Sequence, residues 1–328
     1  MIFARRQLLQ AIAAAVAPSL PRLASAQAYP THVIKIVVPF PPGASSDTVS
    51  RLLADKLSPA LGQAVIVENR PGGAGGSVGA RAVATADPDG YTLLVTPVDV
   101  VGNTMRLANR NLDFDPMKSF APVALLVTSP FVFNVKAALA VGTLDELAAH
   151  ARANPGKLSF ASPGYGTFPH LLGEMFKLIT GTDMIHVPYR GSAAAVNDLL
   201  AGQVDMYAIE VGVIRPHIEA GKVKALAVAS KTRSPYLPGV PTTIESGFAP
   251  LQATYALGLY VPAGTPGPII DTLNSAANAV LSTPQMQESA RQLGAQAASG
   301  TAQDFAERFA AIAKEAADMT AAVGIKPQ

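Results

Sequence analysis

The sequence predicts an α/β protein built from two doubly wound lobes. The chain has 328 residues, enough for two domains of ordinary size, and 49% of them are hydrophobic, enough for a sizeable core. Units of strand, loop, helix and strand recur along the chain in two separate series. Because such a unit places consecutive strands side by side in one direction, we expect sheets that are mainly parallel.

The first series of predicted elements lies before residue 100. Apolar residues at helical spacing predict a helix over residues 48–61, for which Ser46 or Asp47 is a suitable N-cap. Short apolar runs bounded by turn residues predict the strands. The predicted strands are residues 32–39, 64–68 and 91–96, and a second helix is predicted at residues 80–86, after a glycine-rich loop at residues 70–79.

The second series begins with a long predicted strand at residues 121–135. A capping box of Thr143 and Glu146 marks the start of a helix over residues 143–153. The remaining predicted strands are residues 157–161, 184–187, 205–209, 225–229 and 255–261, and the remaining helices end near residues 180 and 201 or cover residues 266–281 and 302–323.

The N-terminus has the three parts of an export signal. Arg5 and Arg6 precede an apolar segment from Leu8 to Ala17, and Ala24 to Ala26 form an A-x-A cleavage site. The apolar segment is too short to span a bilayer. We therefore expect residues 1–26 to be removed and the mature protein to be exported. The general and the twin-arginine export routes both remain open, and the alternative is an N-terminal core helix.

Composition and charge exclude several classes of function. Without residues 1–26 the chain carries 22 basic and 23 acidic residues, so its net charge falls from +2 to −1 and we expect no nucleic-acid partner. The absence of cysteine excludes disulfides, thiolate catalysis and cysteine-based zinc sites.

The sequence motifs of common enzymes are missing as well. Val78 stands where a dinucleotide-binding motif needs its third glycine, and no G-x-S-x-G occurs. The five histidines are far apart in sequence and lack metal-ligand spacing. We therefore expect no catalytic residue, metal or cofactor. Only His170, which follows a glycine-containing loop, stays a candidate for lining a site.

Three loops rich in glycine, serine and threonine lead into predicted helices, at residues 42–47, 162–167 and 189–192. The free N–H groups and the dipole of a helix N-terminus favour an anion. Loops of this kind from two facing lobes predict a cleft that holds a carboxylate without arginine or lysine. For any single loop, ordinary turn chemistry is the alternative.

Short motifs are spread over nearly the whole chain after residue 26. They include VVPFPPG at 37–43, VENRPGG at 67–73, DPDGYTLL at 87–94, NPGKL at 154–158, PHL at 169–171, HVPYRG at 186–191, GQVD at 202–205, ALAV at 225–228, VPT at 240–242 and PAGTP at 262–266. Together they resemble the Bug family, the TctC-type receptors of tripartite tricarboxylate transporters.

The resemblance implies a type II periplasmic-binding-protein fold with a ligand cleft between two lobes. The expected lobes are residues 27–127 with 240–328, and residues 128–239. The ligand is expected to be a small carboxylate held by backbone N–H groups, hydroxyls and water, with Thr167 among the donors. The residues carried over to the cleft are Phe40, Pro42, Gly43, Ala44, Ser45, Ser46, Asp47, Ser162, Gly164, Tyr165, Gly166, Thr167, His170 and Tyr189.

The resemblance also implies what the protein works with. It is expected to be a monomer that delivers its solute to TctA/TctB-type membrane components or to a sensor. The alternative is an exported enzyme of the same fold that acts on a small carboxylate.

Two acidic residues depart from the family pattern at the expected cleft. Asp99 and Glu210 stand where small or amide-bearing residues are usual, and Ala256 replaces a common tryptophan. A buried carboxylate needs a cation or a donor. We therefore expect a ligand that carries an amine, amide or ring N–H besides its carboxylate. The alternative is that both side chains are solvated at the rim or that one pairs with Arg190 or Arg215.

Overall fold

The computed structural model describes residues 29–328, so the predicted export signal at residues 1–26 lies outside the described residues. The strands are β1 (Ile34–Val38), β2 (Val65–Asn69), β3 (Thr92–Pro97), β4 (Phe120–Lys136), β5 (Leu158–Ser162), β6 (Met184–Pro188), β7 (Met206–Glu210), β8 (Val223–Val228), β9 (Thr254–Pro262) and β10 (Gln296–Ala297).

The helices alternate with these strands for most of the chain. They are α1 (Ser45–Leu61), α2 (Ser77–Ala84), α3 (Met105–Leu107), α4 (Leu144–Ala153), α5 (Phe168–Thr180), α6 (Ser192–Leu200), α7 (Val211–Glu219), α8 (Gly267–Leu281), α9 (Pro284–Gln292) and α10 (Ala302–Val323). A 3₁₀ turn (Ala74–Gly76) precedes α2, and a π-helical turn (Val100–Thr104) precedes α3.

One long strand, β4, joins two ladders of strands. Its residues 120–130 pair with β9, and its residues 131–136 pair with β7 and β8. We call β2-β1-β3-β9-β4 the first ladder and β4-β7-β5-β6 the second ladder. The chain returns from the second ladder to the first through residues 229–253, between β8 and β9. The predicted division into lobes at residues 127/128 and 239/240 stays a prediction.

The expectation of mainly parallel sheets is only partly correct. The pairs β1–β2, β1–β3, β5–β6 and β5–β7 are parallel, but β4 and β9 run antiparallel to each other and to the strands beside them. The reason is their connecting role. Strand β4 leaves the first ladder and β9 re-enters it, so the two strands run in opposite directions.

Helix α1 begins earlier than the sequence predicts. Its N-cap is Ala44 and its first residue is Ser45, so the prediction of Ser46 or Asp47 as the N-cap is wrong. The Asp47 carboxylate accepts the N–H of Gly43 instead of a first-turn N–H. This bond holds the chain before the helix in place and lets the first turn start at Ser45.

Both ladders bury apolar residues, as the composition predicts. The largest fully buried side chains include Tyr207, Tyr260, Phe131, Phe133, Phe160, Phe168, Phe176 and Phe305. Among residues 29–328, no helix is both long and apolar enough to cross a membrane.

Candidate functional site

The first loop, residues 42–47, carries the chain from β1 into α1. Gly43 makes the turn with φ +84°, a value that a residue with a Cβ adopts only under strain. Within the described residues no side chain caps the helix. The N–H groups of Ser45, Ser46 and Asp47 lie in the first turn, where no helix carbonyl can reach them. The positive end of α1 therefore presents open backbone donors.

Asp47 has a different role from the one expected of a cleft residue. Its carboxylate accepts hydrogen bonds from Gly43 N (2.9 Å) and Asn69 Nδ2 (2.9 Å) and pairs with Arg51 (3.0 Å). Burial acts to raise its pKa, but these partners hold the pKa of Asp47 below its usual value. Both carboxylate oxygens are engaged, so Asp47 fixes the loop and also occupies the nearby arginine.

The second loop, residues 162–167, uses its polar groups within itself. The Thr167 hydroxyl donates to the Gly164 carbonyl (2.8 Å), and Ser162 Oγ contacts both Gly164 O (3.0 Å) and His186 Nε2 (2.7 Å). Ser162 is fully buried and Thr167 is nearly so. The expected hydroxyl donors of this loop are therefore already paired.

The two loops share a local design. In each, a glycine at positive φ donates its N–H to the side chain four residues later: Gly43 to Asp47, and Gly166 to His170 Nδ1 (3.0 Å). The extended N-cap follows the glycine, Ala44 in one loop and Thr167 in the other. Ser45 and Phe168 therefore occupy the same position, the first residue of a helix.

The N–H at this position is open in α1 and occupied in α5. Phe168 N donates to the Asp99 carboxylate (3.3 Å), which comes from the segment after β3. Two more bonds tie the second loop to that side of the molecule, from Thr104 Oγ1 to the Gly166 carbonyl (3.0 Å) and from the Tyr165 hydroxyl to the Lys326 carbonyl (3.0 Å). The second loop is thus held by hydrogen bonds with Asp99 and Thr104, which follow β3, and with Lys326 near the end of the chain.

His170 lies beside a second histidine that the sequence analysis did not select. The rings of His170 and His186 stack with centroids 3.8 Å apart, and His170 is 3% exposed. Burial lowers the pKa of His170 to about 3 and that of His186 to about 4. Both imidazoles are therefore neutral at ordinary pH. Sequence offered no signal for this pair, because it forms only when β6 aligns beside β5.

Asp99 and Glu210 come from different segments and are linked through two aromatic residues: Phe168, whose N–H donates to Asp99, packs against Phe131 (6.0 Å), which is paired with Glu210. Asp99 is 5% exposed, and the Glu210 Oε2 atom is buried without a hydrogen-bond partner in the described residues. Burial raises the pKa of Asp99 to about 6. Burial also raises the pKa of Glu210 to about 7, and the nearby charge of Asp99 adds to this rise.

The alternative interpretation of these two acids is wrong for Asp99 and for the pairing with arginine. Asp99 is too buried to be solvated at a rim. Arg215 contacts Glu219 and the Gln292 carbonyl, and neither acid forms an ion pair within residues 29–328. Glu210 is half-buried, so both acids lack a protein cation but only Asp99 is buried as a whole residue.

The other candidates are placed less centrally. The Tyr189 hydroxyl donates to Asp198 on α6 (2.7 Å), so it is engaged by the helix that follows it. Pro42 is exposed and Phe40 is half-buried, at the outer part of the first loop. Ala256 is 1% exposed within β9, where it faces Thr128 of β4 across the ladder.

Comparison with known proteins agrees with this architecture. Residues 49–323 match the family model of the tripartite tricarboxylate transporter family receptor, TctC. A UPF0065 protein encoded between tcbD and tcbE in Pseudomonas sp. is 39% identical over 93% of this chain and 90% of its own length. BugT of Bordetella pertussis is 36% identical over 83% of each chain.

Solved structures show the same fold. The periplasmic binding protein BugD superposes with a TM-score of 0.83 at 35% identity, covering 92% of this chain and all of BugD. A Rhodopseudomonas palustris protein solved with adipate has a TM-score of 0.86 at 32% identity, with 92% and 100% coverage. MatC from the same organism, solved with malate, has a TM-score of 0.81 at 30% identity, with 90% and 100% coverage.

These matches confirm the predicted fold class, an α/β periplasmic-binding-protein fold, here with mixed sheets. They also set aside the enzyme alternative, because the family consists of transporter receptors, which bind solutes. The chain belongs to the Bug/TctC family of periplasmic solute-binding receptors, as the sequence motifs predicted.

Proposed function

We propose that this receptor captures a small carboxylate-containing solute in the periplasm and delivers it to the membrane components of a tripartite transporter. The cleft is proposed to lie between the first loop and the second loop. The observation that carries the proposal is the open N-terminus of α1, with the N–H groups of Ser45, Ser46 and Asp47 unpaired by any side-chain cap.

The first loop suits a carboxylate although it contains no lysine or arginine. Arg51 is already engaged by Asp47 and by Asn69. Anion binding then depends on backbone N–H groups, on the helix dipole and on the hydroxyls of Ser45 and Ser46. Each hydrogen bond to a charged group contributes about 1.5–3 kcal/mol. Two such donors are enough for the binding of a small solute.

Relatives support the choice of solute class. One structural neighbour was solved with adipate and another with malate, both small dicarboxylates. The lobes that close on the solute are proposed to be residues 27–127 with 240–328, and residues 128–239. The proposed hinges are the partner change inside β4 at residues 130/131 and the return segment at residues 229–253.

The decisive variant is Ser45→Pro. Proline lacks an N–H but is favoured at the first position of a helix, and Ala44 before it has the extended conformation (φ −68°, ψ 157°) that a residue before proline prefers. The variant therefore removes one proposed donor and keeps the helix. We expect the affinity to fall about ten- to a hundred-fold, at 1.4 kcal/mol per decade.

Titration calorimetry with small carboxylates measures this effect. Ser45→Ala serves as the control, because it removes the hydroxyl and keeps the N–H, and thermal unfolding checks the fold of both variants. If Ser45→Pro binds the solute as well as Ser45→Ala does, the N-terminus of α1 is not the carboxylate site.

A further inference from the structure

Asp99 and Glu210 form an acidic pair that the fold builds from two distant segments. Asp99 follows β3 of the first ladder, and Glu210 ends β7 of the second ladder. Their charges interact, since Asp99 contributes to the raised pKa of Glu210. A buried carboxylate without a cation is costly, and residues of this kind persist where a ligand supplies the missing charge.

Two unpaired hydroxyls lie on β3, which leads to Asp99, and on β9 beside it. Thr96 Oγ1 and the Tyr260 hydroxyl are fully buried and have no hydrogen-bond partner in the described part of the chain. Burial raises the pKa values of Tyr255 and Tyr260; the charge of Asp99 adds to both, and that of Glu210 adds to the rise at Tyr255. Buried polar groups in native proteins are normally paired, so this group calls for an unseen partner.

The surroundings favour an organic cation over a metal ion. The described residues contain no group of three or more His, Cys, Asp or Glu side chains that could hold a metal. Aromatic rings line the acidic pair instead. Phe131, which is paired with Glu210 across the ladder, packs against Tyr255 (6.3 Å) and Phe168 (6.0 Å). Carboxylates beside aromatic rings are a suitable setting for a nitrogen cation.

Asp99 also decides where the carboxylate of the solute can lie. Its own carboxylate already accepts the first N–H of α5, from Phe168, at the position that Ser45 occupies in α1. A second carboxylate at α5 would meet a like charge. The corresponding N–H of α1 has no such occupant.

We propose that the solute is an amino-carboxylate or another zwitterion, whose carboxylate lies at the N-terminus of α1 and whose cationic nitrogen lies between Asp99 and Glu210. This inference rests on the proposed function, because it assigns the two ends of the same solute. The receptor thereby differs in kind from one that clasps a dicarboxylate between two helix N-termini. With pKa values of about 6 and about 7, Asp99 and Glu210 are partly protonated in the ligand-free protein near neutral pH, and the cation favours their ionised forms.

The test uses pairs of probes that differ at one end only. Adipate is compared with 6-aminohexanoate, and succinate with 4-aminobutanoate, by titration calorimetry on the wild type, Asp99→Asn and Glu210→Gln. Asp55→Asn is the control, since it removes the same charge from an exposed position on α1. We expect the wild type to bind the amino member of at least one pair more tightly. Asp99→Asn and Glu210→Gln should each weaken that binding about ten- to a hundred-fold.

Asp99→Asn should also strengthen the binding of the matched dicarboxylate, because it removes the like charge from the N-terminus of α5. A second measurement needs no variant. Titration of the wild type near pH 6.5 in buffers of different ionisation enthalpy should show net proton release on binding of the amino probe, since the acids ionise.

Four outcomes would overturn the proposal. Tighter binding of the dicarboxylate in both pairs would reject it and leave the proposed function intact. Unchanged affinity of the amino probe in both acidic variants, or net proton uptake, would reject it likewise. Binding of none of the four probes would reject the proposed function for solutes of this size, and this inference with it.

Discussion

The first and second loops start from the same local design and reach opposite states. Each has a glycine at positive φ, an extended N-cap and a side chain at the third helical position that accepts the glycine N–H. The first loop is exposed at Pro42 and Gly43 and leaves its helix donors open. The second is partly buried, and its Thr167 hydroxyl and the first N–H of its helix are used by the Gly164 carbonyl and by Asp99.

The difference shows that a helix N-terminus is not by itself a binding site. Glycine and serine near a helix start make donors available, but neighbours in space decide whether those donors stay free. In the second loop the neighbours are Asp99, Thr104 and the histidine pair. In the first loop the anchoring carboxylate of Asp47 is directed backwards to Gly43 and away from the helix donors.

Alanine substitutions at the two equivalent glycines, Gly43 and Gly166, should show the largest difference between the two loops. At Gly43 (φ +84°) an added Cβ meets nothing within 4 Å, so only the left-handed backbone strain remains, about 1–2 kcal/mol. At Gly166 (φ +78°) the same Cβ comes within 3.0 Å of Leu107, which adds about 1–3 kcal/mol of overpacking. We expect Gly166→Ala to lower the free energy of unfolding clearly more than Gly43→Ala, measured by urea titration.

Leu107→Ala provides the control for this prediction, because it opens space beside Gly166. The extra cost of Gly166→Ala should shrink in that background. Equal costs of the two glycine variants in the wild-type background would show that the second loop is no more tightly packed than the first.

Asp47 and His170, the side chains that accept the glycine N–H, predict that the two loops lose stability at different pH values. The pKa of His170 is lower in the folded chain, about 3, than its ordinary value of 6.5, so protons bind the unfolded chain first. Its contribution to stability is complete above pH 6.5 and decreases as the pH falls toward 3. The pKa of Asp47 is lowered as well, so its contribution to stability decreases only when the pH falls below the ordinary value of 3.8.

The variant His170→Asn tests this difference, because Asn keeps an acceptor near the position of Nδ1. Between pH 6.5 and pH 4 the free energy of unfolding of the wild type should fall by up to about 1.4 kcal/mol per pH unit. The variant should not show this fall. Asp99 and Glu210, whose pKa values are raised, act in the opposite direction over this range, but they are common to both proteins and cancel in the difference. Parallel stability curves would contradict the role given to His170.

The smallest effect is expected for Thr167→Val. The sequence alone assigned the Thr167 hydroxyl to the solute, but in the structure it donates to Gly164. We now expect the variant to change solute affinity by less than about threefold and to lower the free energy of unfolding by about 1 kcal/mol, the usual contribution of one hydrogen bond. A loss of affinity of ten-fold or more would show that the second loop does donate to the solute.

Most helices and strands were predictable from the sequence because their signals are local. Apolar spacing predicted α1, α5 and α10 to within a few residues, and the motifs identified the family. Polar α9, which begins with a Thr283 cap and Pro284, was missed because its apolar face is small. The candidate loops were predictable for the same reason, since glycine and serine mark a helix start within a few positions.

By itself, the sequence determined that three loops lead into helix N-termini, and it identified Asp99 and Glu210 as departures from the family pattern. Only the tertiary structure decided which helix keeps its donors. Phe168 receives its acceptor from Asp99, 69 residues away along the chain. The stacking of His170 on His186 and the burial of the acidic pair likewise depend on strands that align across the sheet. Local patterns cannot encode such contacts, because burial and charge pairing depend on neighbours in space and not on neighbours in sequence.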